Sequence, residues 1–340
     1  MIKGLFLRSI GLLATAAGTW LVLALVVYLL LPRTIETIYQ GRVRDILQHS
    51  CGRFLSDPLL YTLEPGVCRF ANPEFDTRVV VDADGFRNAR EHSGNGPIRV
   101  AVTGDSHAMG WGVEQGEKIA SLIAADPRFT VRDLAMSSYG TARELVAVLR
   151  HAHDADVIVI QYCDNDSAEN AAFLRDPADF FSNAAARAAA YATDVRIEMA
   201  RTEASPLVRA GLRWTIAALA RTWHLLYLPP HSAGPTPSRV MDQEAALFAG
   251  VLAHFKADLE GKTVLVFDSQ PRRPRPAFAE TFKKALSAKG MGQVAVLDLV
   301  GTLGPRDFFH IDEHMRPSGH TKIAARIVDE LGKPGRLPNR

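Results

Sequence analysis

Four short polar segments of the chain carry side chains that together could transfer an acyl group through a serine. The segments are Gly104-Asp105-Ser106-His107, Ser138-Tyr139-Gly140-Thr141, Cys163-Asp164-Asn165-Asp166 and Asp312-Glu313-His314. A serine hydroxyl becomes nucleophilic when a histidine takes its proton and an acid holds that histidine in the right tautomer. We therefore predict Ser106 as the nucleophile, His314 as its base and Asp312 as the acid.

The same segments offer donors for the negatively charged oxygen that forms during acyl transfer. Ser106 and Gly140 would supply backbone N–H groups, and Asn165 its side-chain amide. Gly140 opens a predicted helix, where the first amides have no partner within the helix. Each segment alone also has a simpler interpretation: a common turn for Gly-Asp-Ser, a turn glycine with positive φ for Gly140, a strand-end cap for Asn165 and a surface position for His314.

The four segments follow apolar runs that predict β-strands. The predicted strands are 98–103, 131–134, 157–162, 263–267 and 294–298, and the predicted helices are 141–151, 242–259 and 277–289. Strands that alternate with helices predict an α/β fold with a parallel sheet covered on both faces. Functional groups gather beyond the carboxyl ends of such strands, so we expect the four segments to meet in one site.

The N-terminal residues predict a membrane anchor. No charged residue lies between Ser9 and Pro32, and a helix needs about 20 apolar residues to cross a bilayer. The run ends at Leu30-Leu31-Pro32-Arg33 without a small-residue cleavage site, which favours an uncleaved transmembrane helix over a signal peptide. Basic residues flank both ends of the run, so charge alone leaves the orientation open.

The rest of the chain divides into three further parts. After a cytoplasmic stub and anchor at 1–33 we predict a connector at 34–96 that packs on the main domain, a catalytic domain at 97–331 and a loose tail at 332–340. The catalytic domain contains a mostly helical insertion at about 168–260. Within that insertion, 207–228 predicts an amphipathic helix that packs on the core, lies on a membrane surface or forms part of a lid.

Charge and cysteine content limit which binding partners and which redox compartment can be inferred for the protein. The formal net charge is +2 with 22% charged residues, which gives no reason to propose nucleic acid as a partner. Cys51 and Cys68 either form a disulfide, as an oxidising compartment would allow, or remain two thiols. Arg272, Arg273 and Arg275 mark a basic loop that either receives an anionic substrate or is simply solvated.

The polar segments resemble the marker positions of the SGNH, or GDSL-like, serine hydrolase family. Ser106 in Gly-Asp-Ser, Gly140, Asn165 in Asn-Asp and His314 match the four markers. The stretches 104–114 and 138–145 look like the first two blocks of the lysophospholipase-like branch, and Asp84-Gly85-Phe86-Arg87 resembles a segment that often precedes them. The resemblance runs from about 98 to 331, except for the insertion.

This resemblance implies a flavodoxin-like three-layer α/β/α sandwich that needs no metal or other cofactor. It implies cleavage of acyl or acetyl esters on glycans or lipids, and a catalytic domain on the extracytoplasmic, periplasmic side. The chain departs from the pattern at Cys163, where the family usually has a glycine, so that a side chain there narrows the oxyanion pocket. It departs again at Ile311, where the family usually has the acid.

Asp312, two residues before the histidine, matches a spacing seen in polysaccharide-acetylating relatives. Asp307 with His310 is the weaker alternative pair of acid and base.

Three functions stay open for a chain with these residues. The first is a membrane-anchored serine esterase acting on an acylated glycan or lipid. The second is an O-acyltransferase that modifies an extracytoplasmic glycan with the same residues. The third is a non-catalytic binding or assembly protein that retains the fold.

Overall fold

The computed structural model describes residues 51–204, 236–269, 275–310, 312 and 314–337, together with residues 11, 15, 18, 19 and 22. Its strands are β1 Gly52–Phe54, β2 Tyr61–Leu63, β3 Gly66–Asn72, β4 Phe75–Val81, β5 Ile98–Thr103, β6 Phe129–Asp133, β7 Val157–Tyr162, β8 Thr263–Asp268 and β9 Ala295–Val296. Its α-helices are α1 Ser106–Met109, α2 Ile119–Ala124, α3 Thr141–His151, α4 Asp166–Arg175, α5 Pro177–Ser182, α6 Ala184–Ala204, α7 Ser238–His254, α8 Phe278–Ala288 and α9 Pro317–Leu331.

The central element is a parallel sheet of five strands in the order β6-β5-β7-β8-β9. Counted within the sheet, this is the order 2-1-3-4-5 of flavodoxin-like folds. Val102 of β5 lies beside Asp133 of β6 and beside Val159 of β7. The carboxyl ends of the first three strands therefore lie at one edge, and the polar segments that follow them are brought to that edge.

Two apolar clusters cover the two faces of the sheet. One contains Val100, Val102, Val159 and Leu265 of the strands with Ile123 of α2 and Ile327 of α9. The other contains Ala101, Ile158, Ile160 and Val266 with Leu145 of α3, Phe248 of α7 and Phe282 of α8. Alternate residues of the strands enter opposite clusters, as the twofold period of a strand requires. The predicted α/β class and parallel sheet with flanking helices are confirmed.

The predicted strands 98–103 and 157–162 coincide with β5 and β7. The second predicted strand begins two residues late, since β6 starts at Phe129, and the fifth is reduced to two paired residues in β9. Helices α7 and α8 lie where they were predicted, with somewhat different ends. Strands β1 to β4 were not predicted.

These four strands form two antiparallel hairpins, β1–β2 and β3–β4, within the predicted connector. Tyr61 of β2 donates from its hydroxyl to the backbone oxygen of Ser137 at 2.5 Å, and Tyr139 donates back to the oxygen of Tyr61. Arg87 is wholly buried and donates to the backbone oxygens of Met109 at 3.2 Å and of Val113 at 2.5 Å. The hairpin region therefore shares hydrogen bonds and core with the sheet domain.

Cys51 and Cys68 are joined by a disulfide, which resolves the two alternatives that the sequence left open. The bridge links the residue before β1 to β3 and closes a loop with a sequence separation of 17. A disulfide that closes a loop of this size stabilises the fold by about 3 kcal/mol, because it lowers the conformational entropy of the unfolded chain. We expect Cys51→Ser with Cys68→Ser to lower the free energy of unfolding by about that amount, measured by denaturant titration.

Thiol titration of the denatured, non-reduced protein provides the check on this expectation. Cys163 is the free cysteine of the described residues, so one thiol should react with the disulfide intact. Three reactive thiols would contradict the bridge.

The insertion between β7 and β8 is helical over the part that the structure describes, namely α4 to α7. The predicted amphipathic helix at 207–228 lies outside the described residues. Most of the predicted membrane span at 9–32 also lies outside them, and no helix among the described residues has the length and apolarity to cross a bilayer. Part of the predicted loose tail is attached to the sheet, because the hydroxyl of Thr263 in β8 donates to the backbone oxygen of Arg336 at 2.6 Å.

Candidate active site

Ser106 lies immediately beyond the carboxyl end of β5, at the first position of the short helix α1. The turn that leads to it requires glycine at Gly104, whose φ is +146° and where a Cβ would lie 2.7 Å from the side-chain oxygen of Gln161. Asp105 caps α1 by accepting from the backbone N–H of His107 at 2.9 Å. The Gly-Asp-Ser sequence thus forms a tight strand-to-helix turn with the serine at the first position of the helix.

Gln161, a wholly buried residue of β7, holds this turn in place. Its side-chain oxygen accepts from the backbone N–H groups of Asp105 at 3.0 Å and Ala108 at 3.2 Å. Its amide nitrogen donates to the hydroxyl of Ser269 at 3.3 Å. Buried polar groups need such partners, and here they fix the start of α1 against the neighbouring strand.

His314 lies beside both Ser106 and Asp312. Its Nε2 is 2.8 Å from the Oγ of Ser106, and its Nδ1 contacts Oδ1 of Asp312. With the proton on Nδ1, the ring donates to the carboxylate and accepts from the serine hydroxyl. The His107 ring packs against the His314 ring at 4.7 Å between centroids, and Trp111 lies 5.9 Å away.

The carboxylate of Asp312 is only 3% exposed and is engaged on both oxygens. Its Oδ2 accepts from Nδ2 of Asn72 at 2.9 Å and from Nε1 of Trp111 at 3.4 Å. Asn72 lies at the end of β3, and the sequence did not mark it as part of the site. The Asn72-Pro73 pair does signal a turn, but no local pattern connects it to a residue 240 positions away.

Gly140 and Asn165, the predicted oxyanion donors, lie after β6 and β7. Gly140 precedes α3 with a φ of −92°, so a positive φ is not the reason for glycine there. A Cβ at this position would lie 2.8 Å from the side chain of Glu169, so close packing against α4 requires glycine. Asn165 is exposed, directly before α4. The roles of Ser106, Gly140 and Asn165 as oxyanion donors stay predictions.

The alternative acid and base are placed differently. Asp307 accepts from the amine of Lys322 at 2.7 Å and from the hydroxyl of Ser318 at 2.8 Å, which ties it to α9. His310 is exposed, and its backbone N–H donates to Glu74 at 2.6 Å. The structure therefore brings His314, rather than His310, to the serine.

Two further residues of interest are buried. Cys163 follows β7, and burial raises the pKa of its thiol well above the ordinary value. Arg275 belongs to the basic loop that could receive an anionic substrate, but its side chain is 4% exposed and forms ion pairs with Glu244 and with Asp268. Arg275 is thus committed to the interior, while Arg272 and Arg273 lie outside the described residues.

Histidine and carboxyl groups behind the site are kept neutral by burial. Burial, with neighbouring His107 and Arg87, lowers the pKa of His320 to about 3. Burial and the charges of Asp166 and Asp105 raise the pKa of Glu144 well above its ordinary value. Neither carboxylate oxygen of Glu144 has a hydrogen-bond partner among the described residues, which agrees with an uncharged side chain.

We expect Glu144→Gln to stabilise the protein, and the gain to grow as pH rises. An acid whose native pKa is raised binds its proton in the folded state and loses it on unfolding. Its contribution to stability therefore falls as pH rises above about 4.3, by at most about 1.4 kcal/mol per pH unit. Glutamine removes this loss.

Denaturant titration of both proteins between pH 5 and pH 8 measures the difference. Glu280→Gln, on the exposed face of α8, is the matched control and should behave as the wild type. A gain for Glu144→Gln that does not change with pH would mean that Glu144 is ionised in the fold.

No group of three or more histidine, cysteine, aspartate or glutamate side chains in the described part of the chain has an arrangement suited to a metal ion.

No family model matches this chain, and no curated protein matches it either. Solved structures with a similar arrangement include TesA, which is 14% identical with a TM-score of 0.37 over 69% of this chain and 98% of its own. A carbohydrate esterase is 12% identical with a TM-score of 0.40, over 78% of this chain and 70% of its own. Axe2, an acetylxylan esterase from Geobacillus stearothermophilus, is 13% identical with a TM-score of 0.35, over 73% and 100%. Values this low do not assign a family or an activity.

Proposed function

We propose that this protein is a membrane-anchored serine esterase that cleaves acyl or acetyl esters of a glycan or a lipid. The observation that carries the proposal is the continuous contact from Asp312 through His314 to the hydroxyl of Ser106. A serine with a base at 2.8 Å and a buried acid behind the base has the parts needed for nucleophilic acyl transfer.

In the proposed reaction, the oxygen of Ser106 bonds to the ester carbonyl carbon while His314 takes the hydroxyl proton. The oxyanion is stabilised by the N–H groups of Ser106 and Gly140 and by the amide of Asn165. The tetrahedral intermediate then expels the alcohol, which receives the proton from His314. Water attacks the acyl-enzyme with His314 again as base, which releases the acid and restores the serine.

O-acyl transfer to a glycan hydroxyl is the second candidate, with the glycan replacing water in the last step. The two-residue spacing between Asp312 and His314 favours acyl transfer, because that spacing resembles the polysaccharide-acetylating relatives.

The apolar run at 9–32 supports membrane anchoring. The Cys51–Cys68 disulfide supports an extracytoplasmic location for the catalytic domain, since disulfides persist in oxidising compartments.

Labelling of the full chain in detergent with a fluorophosphonate probe tests the proposal. The wild type should be labelled, Ser106→Ala should not, and Ser182→Ala, an exposed serine at the end of α5, should be labelled as the wild type. Absence of labelling in a folded wild type would reject an activated serine and favour the binding-protein alternative. With labelling established, an acetyl donor and an added glycan separate the candidates: free acetate indicates an esterase, and acetylated glycan indicates a transferase.

A further inference from the structure

We propose that the tip of the β3–β4 hairpin is part of the active site, where Asn72 and Glu74 position the acid Asp312. The inference rests on the proposed function and adds two positioning residues to it. The hairpin belongs to the segment before the sheet domain, which the sequence presented only as a connector. Asn72 contacts the side chain of Asp312 and Glu74 contacts its backbone, so both act through Asp312.

The first contact sets the direction of the carboxylate. Nδ2 of Asn72 donates to Oδ2 of Asp312 at 2.9 Å, while Oδ1 of the same carboxylate faces His314. A carboxylate with one oxygen held by a donor has its other oxygen directed at the imidazole. Such an arrangement fixes the rotation of Asp312 and keeps the proton of His314 on Nδ1.

The orientation of the Asn72 amide follows from its other contacts. Its Oδ1 accepts from the backbone N–H groups of Glu74 at 2.8 Å and Phe75 at 3.2 Å, which forms the turn of the hairpin. Because the oxygen is committed to these two donors, the NH₂ group is the one that faces Asp312. A single side chain thus closes the turn and binds the acid.

The second contact holds the backbone of the segment that carries the acid, from His310 to Asp312. One carboxylate oxygen of Glu74 accepts from the N–H of Asp312 at 2.8 Å, and the other accepts from the N–H of His310 at 2.6 Å. Glu74 is itself largely buried, with 11% of its side chain exposed, and Arg316 lies 3.9 Å from it. Hydrogen bonds to a buried charged group are among the stronger ones, so this carboxylate clamps the loop on both sides of residue 311.

The hairpin is built to present these residues rigidly. Strands β3 and β4 pair over seven residues each, and Asn72 and Phe75 form the last pair before the turn. Cys68 of β3 carries the disulfide to Cys51, and Phe70 stacks on Trp111 at 4.9 Å between centroids. Trp111 in turn donates to Asp312 at 3.4 Å, so the hairpin reaches the acid by a second path.

Asn72→Asp is the sharpest test, because it keeps an oxygen for the turn and replaces the donor to Asp312 by a second carboxylate. We expect kcat for p-nitrophenyl acetate to fall by about 10- to 100-fold, as misplaced catalytic groups do, while KM stays nearly constant. Glu74→Gln should change kcat in the same direction, since one of its two backbone contacts is lost. Asp76→Asn, on the exposed ion pair with Arg69 of the same hairpin, is the matched control and should leave kcat unchanged.

A spectroscopic signal separates positioning from folding. The low-field proton resonance of the His314 Nδ1–H bond to Asp312 should be present in the wild type and in Asp76→Asn, and shifted or lost in Asn72→Asp. Thermal unfolding is measured on the same samples. An Asn72→Asp protein that unfolds like the wild type and keeps both its kcat and this resonance would overturn the positioning role.

The failure of the proposed function has a different signature. A wild type that shows the His314 resonance but is not labelled by the fluorophosphonate has the geometry without the activity. That result would reject the esterase and with it any catalytic consequence of Asn72. Labelling of the wild type together with an unaltered Asn72→Asp protein would reject the inference alone.

Discussion

Replacing His314 with alanine should lower kcat/KM for p-nitrophenyl acetate by about 10⁴- to 10⁶-fold, as loss of the base does in serine hydrolases. The reason is geometric: Nε2 of His314 is 2.8 Å from the oxygen of Ser106, and the acid behind the ring is 3% exposed. Without the ring, the hydroxyl has no base to take its proton, and only the proposed oxyanion donors would remain to stabilise the transition state.

His310→Ala is the matched control, since it removes a nearby exposed histidine whose backbone contact to Glu74 is unaffected by the substitution. We expect its kcat/KM to equal that of the wild type. The pair of variants also separates the two acid–base assignments that the sequence allowed. Retention of substantial activity in His314→Ala, with loss in His310→Ala, would reverse the assignment.

Lys118→Met should lower the free energy of unfolding by about 3 to 5 kcal/mol, the cost of leaving a buried charge without its partner. Lys118 and Asp133 form an ion pair in which the side chains are 1% and 0% exposed, with 2.5 Å between Nζ and Oδ2. Burial lowers the pKa of Lys118 to about 8, which still leaves the amine charged at pH 7. Lys118 also donates to the backbone oxygen of Arg87, the residue that holds the turn after α1.

Denaturant titration measures this loss, and a double variant identifies its cause. Lys118→Met with Asp133→Asn removes both charges and should recover part of the stability. Lys284→Met, on the exposed face of α8, is the control and should have little effect. A loss in Lys118→Met that the second substitution does not reduce would point to packing rather than to the stranded charge.

The sheet and the serine were predictable because their signals are local. The runs that became β5 and β7 are almost continuously apolar and rich in β-branched residues, as strands buried on both faces are. Ser106 and Asn165 follow these two runs closely, and the topology of parallel sheets brings the ends of neighbouring strands to one edge. His314 and Asp312 lie well beyond β9 and were predicted from their residue types, their spacing and the family resemblance. The structure places Ser106, His314 and Asp312 in a continuous chain of contacts.

The hairpins were missed because their signal is weak and their role is not local. In β3 and β4 buried and exposed residues alternate, and Cys68 faces Val79 while Phe70 faces Thr77, but each strand has only seven residues. The use of Asn72 depends on a partner far along the chain. The reason for glycine at position 140 is equally hidden from the sequence, because it comes from the side chain of Glu169 on another helix.

The long sequence separation within the site has a consequence for the protein during its synthesis. Asn72 and Asp312 are 240 residues apart, and Ser106 and His314 are 208 apart. At about 5 to 20 residues per second, a ribosome needs roughly 10 to 50 seconds to add that length. Throughout this interval the nascent chain carries its serine without a base and its hairpin without an acid. The contacts among Ser106, His314 and Asp312 can therefore form only after residue 314 has been added to the chain.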